Sequence, residues 1–242
     1  MMLLAILLIC HLLGDFFLQS SDMAEKKNNN KKVMGLHSGI YFAVFLIVGF
    51  VFITPIFAIV SSLIISGTYC VIDSLRAKFD IKFKNRVRLF QSFLVDQILH
   101  TSIIIGTYYL FDLRNKTNSL YMTCASFSHF NKIVLYTLLF SILLTPTAVF
   151  MKKLFVYLFK NYREDKDENG NIGNIIGQME RVIIAILLIS NQFGVIGFVL
   201  TAKSIARFKQ LEEKDFAEKY LVGTLISVVI SLVTTIIIQK LV

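Results

Sequence analysis

Tryptophan is absent from this 242-residue chain, and charge is scarce at 17% of residues. Soluble domains carry about 25% charged residues, so the shortage argues against a water-exposed globule. Without Trp, any aromatic belt at a membrane interface must rest on the 9 tyrosines. The three cysteines, Cys10, Cys70 and Cys124, are scattered and form no CxxC pair. That excludes a disulfide framework and a thiolate metal site, and leaves them as small apolar packing residues. There is no internal repeat and no low-complexity domain.

What fills the chain instead is apolar: 55% hydrophobic residues, 22 of them Phe, with mean hydropathy +0.68. These residues run in long blocks rather than amphipathic stripes, which indicates membrane embedding. The net charge of +9 sits on Lys and Arg that flank the blocks. Such flanks anchor a chain to anionic membrane lipids and are not a nucleic-acid surface. The first residues, MMLLAILLIC, lack the basic start and small-residue cleavage site of a signal peptide, so they read as mature sequence.

A membrane span takes roughly 20 apolar residues. The expected fold is therefore all-α: a multipass integral membrane helical bundle of six to seven hydrophobic helices. The blocks lie at 2–19, 34–54, 56–73, 90–112, 132–159, 178–209 and 217–241. Residues 1–115 form a four-helix core and 116–242 the remaining helices, with a polar cytoplasmic loop at 160–174.

Lys and Arg in short loops mark the cytoplasmic side. Loop 20–33 carries Lys26, Lys27, Lys31 and Lys32, and loop 74–89 carries Arg76, Lys78, Lys82, Lys84, Arg86 and Arg88. Loop 113–131 has only Arg114 and Lys116. The expected path places the N-terminus outside and both basic loops inside, in a bacterial cytoplasmic (inner) membrane. The path strains at 178–209, because 160–174 and the basic 203–214 both call for the cytoplasm. A polar NQFG at 191–194 splits this block, so it reads as a re-entrant hairpin or two tilted half-helices. One full span with a basic external loop is the alternative.

Ionisable residues inside apolar helices are expensive and mark function. The first four blocks carry His11 and Asp15, His37 and Tyr41, Tyr69 and Asp73, and Asp96 and His100. Each pair is spaced four apart, which puts both side chains on one helix face. Under the expected topology all fall near the cytoplasmic leaflet. Imidazole and carboxylate ligands suit a divalent zinc, manganese or iron ion. The expected metal shell is His11, Asp15, His37, Asp96 and His100, with Asp15 or Asp96 as general base. Gln19, Tyr41, Tyr69, Asp73 and Gln97 would support ligands or touch substrate. Taken alone, Asp73 before a basic loop and Tyr69 at an interface are ordinary helix-end residues. His129, in SFSHFNK, reads as solvent-exposed.

The stretches HLLGDFFLQ, GLHSGIYF, the segment ending in Asp73 with Lys78 beyond it, and SFLVDQILH occur in that order. With the Lys-containing loop after the first, they resemble a bacterial membrane protein family catalogued as domain of unknown function 3307. IGNIIGQMERVI, FVLTAKSIARF and AEKYLVGTLIS are similar to later parts of its longer members. The family's third motif often opens with His four residues before its Asp, where this chain has Tyr69. The resemblance implies a membrane protein and carries no established activity.

In the C-terminal half, Gly173 and Gly177 allow close helix approach. Glu180 and Arg181 point apart on a helix and so look for separate partners. Lys203 and Arg207 form a basic face suited to lipid phosphate or a substrate anion. Three functions remain open: a metal-dependent hydrolase of a phosphate-bearing lipid, a proton- or cation-coupled transporter, and a non-catalytic scaffold or subunit. Its protein partner is not specified by these features.

Overall fold

The computed structural model describes residues 1–27, 30–83, 85–160 and 168–242. The chain is all-α and divides into two compact units, Met1–Ser141 and Ile142–Val242. The first unit contains the expected core 1–115 and the residues up to Ser141.

In the first unit, α1 spans Met2–Leu12 and widens into a π turn over Leu13–Phe17. The short α2 (Ser21–Lys26) starts at Ser20, whose hydroxyl accepts from the Met23 N–H. Asn30 and Asn85 cap α3 (Lys31–Phe52) and α5 (Arg86–Leu110) in the same way, accepting from the Lys32 and Val87 N–H groups. Between them α4 (Pro55–Lys82) begins on a proline, whose missing N–H costs nothing at that position. Asn118 ties the far end together. Its amide donates to the Phe50 and Val51 carbonyls at the end of α3, while its oxygen caps α6 (Ser119–Ala125). Next, α7 (Phe130–Leu143) leads out of the unit.

Each long helix buries only a stripe. On α3 it is His37, Tyr41, Phe45 and Gly49, spaced four apart. On α4 it includes Ala58, Ser62, Ile65, Tyr69, Asp73 and Ala77, and on α5 Phe93, Asp96, His100 and Ile104. The remaining faces expose residues such as Leu36, Ile47, Leu63, Val71 and Ile98. Apolar helices with a partly polar interior are what a bilayer selects, since lipid rewards the outer faces. Small residues bring α3 and α4 together: a Cβ on Gly49 would lie 3.1 Å from that of Ala58.

The second unit holds α8 (Thr145–Leu158), α9 (Glu168–Ile189), α10 (Phe193–Ala206) and α11 (Lys214–Leu241). Ile184 and Leu188 of α9 pack with Ile196 of α10, flanked by Val228 and Leu232 of α11. Gly223 of α11 lies so close to the Phe155 ring that a Cβ would come within 2.7 Å.

Among the described residues six segments are long and apolar enough to cross a membrane: 31–52, 55–82, 86–110, 130–158, 172–189 and 214–241. Several expected boundaries move. The first block is helical only to Phe17 and is shorter than these six. The third does not stop at Asp73, because the basic stretch after it continues the helix to Lys82. An Arg76–Asp80 pair on one face at 3.6 Å helps it continue.

The fifth block breaks at Leu144 rather than running through. Pro146 has no N–H for the Ile142 carbonyl, and the Thr147 hydroxyl takes that carbonyl at 2.7 Å. The sixth breaks where NQFG predicts, with Asn191 at φ 56 between α9 and α10. Its first limb is no half-span, however, because α9 starts back at Glu168. The expected polar loop 160–174 is thereby partly helical, and its residues 161–167 lie outside the described residues, as does Lys84 of the basic loop.

Candidate functional site

The polar pairs of the first four apolar segments meet in one buried cluster. His11 comes from α1, Asp15 from the π turn, His37 and Tyr41 from α3, Tyr69 and Asp73 from α4, and Asp96 and His100 from α5. All eight are buried, His37 completely. The layer lies about two and a half turns inside the ends of α4 and α5, deeper than the expected helix-end position.

Aromatic rings form its spine. Tyr41 stacks on Tyr69 at 3.9 Å, and Tyr69 stacks on His100 at 4.4 Å. Gly14 makes room for this column, since a Cβ there would lie 2.7 Å from the Tyr41 ring. The π turn that carries Gly14 also brings in Asp15, in keeping with the tendency of such turns to occur at functional positions.

Asp15 is the best-held carboxylate. Tyr69 donates to its Oδ1 at 2.6 Å and Gln97 to its Oδ2 at 2.8 Å. The Tyr69 hydroxyl in turn meets His37 Nε2 at 2.6 Å. Because that hydroxyl gives its hydrogen to Asp15, His37 donates from Nε2, and its buried Nδ1 has no hydrogen-bond partner among the described residues. His11 Nδ1 lies 3.1 Å from the Tyr41 hydroxyl. Gln97 also reaches Asp96 Oδ2 at 3.2 Å, so it bridges two carboxylates.

Two basic residues assigned to loops by sequence are part of the cluster. Arg76 donates to Asp96 Oδ2 at 2.6 Å. Lys27 is buried and places Nζ 3.3 Å from Asp73 Oδ1 and 3.1 Å from Oδ2. Gln19 completes this corner. Oriented to satisfy both ends, its amide donates to the Asp15 carbonyl and accepts from Lys27 Nζ at 3.2 Å. The signal for Arg76 was its place three residues beyond Asp73, on the same helix face; Lys27 had no comparable signal.

One ligand atom from each of Asp73, Asp96 and His100 lies within 4.8 Å of the other two. Asp73 Oδ2, Asp96 Oδ1 and His100 Nε2 are all buried and, among the described residues, make no well-formed hydrogen bond. Asp96 Oδ1 and His100 Nε2 are only 3.2 Å apart, and Asp73 Oδ2 is near Lys27, but neither approach is aligned. Two carboxylates and an imidazole held this close, with hydrogen-bonding capacity left over, have the chemistry of a hard or borderline cation site. His11, Asp15 and His37 do not join this trio; they are engaged with Tyr41, Tyr69 and Gln97. Asp73, expected only in support, takes a place among the candidate ligands.

The remaining expected residues lie in the second unit. Lys203 of α10 pairs with Glu180 of α9 at 2.5 Å, and its ammonium lies 5.2 Å from the Tyr220 ring centre. The adjacent Arg181 turns the other way and is buried. Its Nε donates to the Leu143 carbonyl at 2.6 Å and a terminal nitrogen to that of Leu144 at 3.3 Å, so it caps the α7–α8 break. The Arg207 guanidinium lies 5.9 Å from the Phe216 ring centre, and His129 is exposed.

Residues 3–130 match the model of a family described as Protein of unknown function (DUF3307). The chain belongs to this family. The DUF3307 match takes in α1 through α6 and with them every residue of the buried cluster, and it ends before the second unit begins. Comparison with curated proteins and with solved structures gives no match.

Proposed function

We propose that this DUF3307 protein is a metal-dependent membrane hydrolase of a phosphate-bearing lipid, acting at the cytoplasmic leaflet of a bacterial inner membrane. The observation that supports the reading most is the convergence of buried Asp73, Asp96 and His100, each able to offer a ligand atom within 4.8 Å of the other two. A cation there, whether zinc, manganese or iron, would polarise a phosphoryl oxygen and lower the pKa of a bound water. Asp15, a carboxyl group fixed by Tyr69 and Gln97, would take the proton of the attacking water. The water oxygen would attack phosphorus as the phosphoester bond breaks, and the leaving alkoxide would take the proton that Asp15 had accepted. The basic ends of α4 and α5 would draw the anionic headgroup.

Charge supports a cation. Among the described residues, the buried carboxylates Asp15, Asp73 and Asp96 are met by the basic side chains of Lys27 and Arg76 and otherwise by the imidazoles of His37 and His100. Buried charge left over on one side is costly and calls for a counter-ion. Metal analysis of the detergent-purified chain tests the reading. We expect a stoichiometric divalent ion in wild type and its loss in His100→Ala and Asp73→Asn. Protein that hydrolyses lipid phosphoesters while metal-free would refute it.

A second reading, cation- or proton-coupled transport, draws on the second unit. The break at Leu144 before α8 and the break at Asn191 between α9 and α10 both lie there, as in helices that line ion pathways. Liposome flux driven by an ion gradient and lost in Asp96→Asn would favour it.

A further inference from the structure

Given a divalent cation on Asp73, Asp96 and His100 as proposed above, we infer that Lys27 is a resident cation that the metal must displace. Lys27 is a built-in gate on the occupancy of the site. Its ammonium lies against Asp73 at 3.1 and 3.3 Å, on the same carboxylate that offers an atom to the trio. An ammonium and a divalent ion compete for one carboxylate, because each supplies the positive charge that the buried aspartate requires.

The two basic residues of the cluster differ in how they are held. Arg76 stands within the long α4, donates to Asp96 at 2.6 Å and has Asp80 beside it at 3.6 Å. Its fork is fixed by two carboxylates. Lys27 follows the six-residue α2, whose residues Asp22, Ala24 and Lys26 are exposed, and its own side chain is the buried one. Besides Asp73, Lys27 Nζ meets among the described residues the amide oxygen of Gln19, a neutral group. A lysine has a flexible stem and a single nitrogen, so it can swing away without disturbing the helices that hold Asp73, Asp96 and His100. The negative charge left beside the histidines after Lys27 leaves is then matched by the two charges of the metal.

The test uses the full-length chain in detergent, with Mn²⁺ as the probe. In equilibrium dialysis Lys27→Met should bind Mn²⁺ at least tenfold more tightly than wild type, while Lys27→Arg should bind no more tightly. Without metal Lys27→Met should also unfold at lower temperature than wild type, and Mn²⁺ should reverse that loss. Should Lys27→Met not fold, the wild-type chain answers alone. Amine-reactive labelling at Lys27, read by mass spectrometry, should rise severalfold when saturating Mn²⁺ is added. Mn²⁺ bound in a His100-dependent way, with Lys27→Met affinity and Lys27 labelling unchanged, would overturn this inference and leave the metal site standing. No Mn²⁺ bound by wild type or by Lys27→Met would overturn both.

Discussion

At the scale of single residues, Gly14 and Tyr69 decide whether the cluster can form. Gly14 faces the Tyr41 ring, which cannot retreat because Tyr69 is stacked behind it at 3.9 Å. Gly14→Ala should therefore lower stability by about 1–3 kcal/mol, the usual cost of overpacking a tight site. Thermal unfolding in detergent measures it, and an unchanged midpoint would mean the column is loose. Tyr69 donates to Asp15 while accepting from His37. Tyr69→Phe removes both bonds at once and should cost about 1–3 kcal/mol through the polar groups it orphans. The His and Asp of the cluster were legible in sequence because ionisable residues stand out in apolar helices. The partner of each was not. Whether Asp15 meets a metal or a tyrosine depends on a π turn that no spacing rule announces. Lys27 and Arg76 were hidden for the opposite reason: basic residues beside a span are expected to face headgroups, and burial of their charge is set by tertiary packing alone.

At the scale of elements, the long apolar blocks translated into helices because nothing in them competes with helix formation in a bilayer. Boundaries shifted where local chemistry intervened. The stretch after Asp73 is polar but has the i, i+4 pattern of a helix, so α4 passes out of the apolar zone without ending. The break at Leu144 comes from Pro146 and is held by two substitutes for missing backbone bonds, the Thr147 hydroxyl and the Arg181 guanidinium. Thr147→Val keeps the shape of the side chain but strips the Ile142 carbonyl of its donor. It should lower stability by about 1–3 kcal/mol, seen as a reduced unfolding midpoint in detergent. Arg181→Lys should also destabilise, since one ammonium cannot span the Leu143 and Leu144 carbonyls as the planar fork does. Equal midpoints for wild type and both variants would show that the break needs no support.

At the scale of the whole molecule, topology follows from how the chain reverses at Asn191. Lys203 lies against Glu180, so α10 runs back along α9 from the break. The fourteen residues of α10 rise about 21 Å, short of the hydrocarbon thickness of about 30 Å. We expect a limb of that length to return part of the way, so that neither α9 nor α10 completes a crossing. The basic segment that follows, with Arg207 and Lys209 before α11 begins at Lys214, should then face the same side as the start of α9. Only α11 is left to span, and its C-terminal end should lie on the opposite side. The check is single cysteines placed at 205–212 after Cys10, Cys70 and Cys124 are replaced, probed in intact cells with a membrane-impermeant thiol reagent. Protection in intact cells and labelling after permeabilisation support a hairpin with both ends inside. Labelling from outside would make 178–209 a full crossing, reverse α11, and move the basic face of Lys203 and Arg207 to the outer surface, where a cytoplasmic headgroup could not reach it.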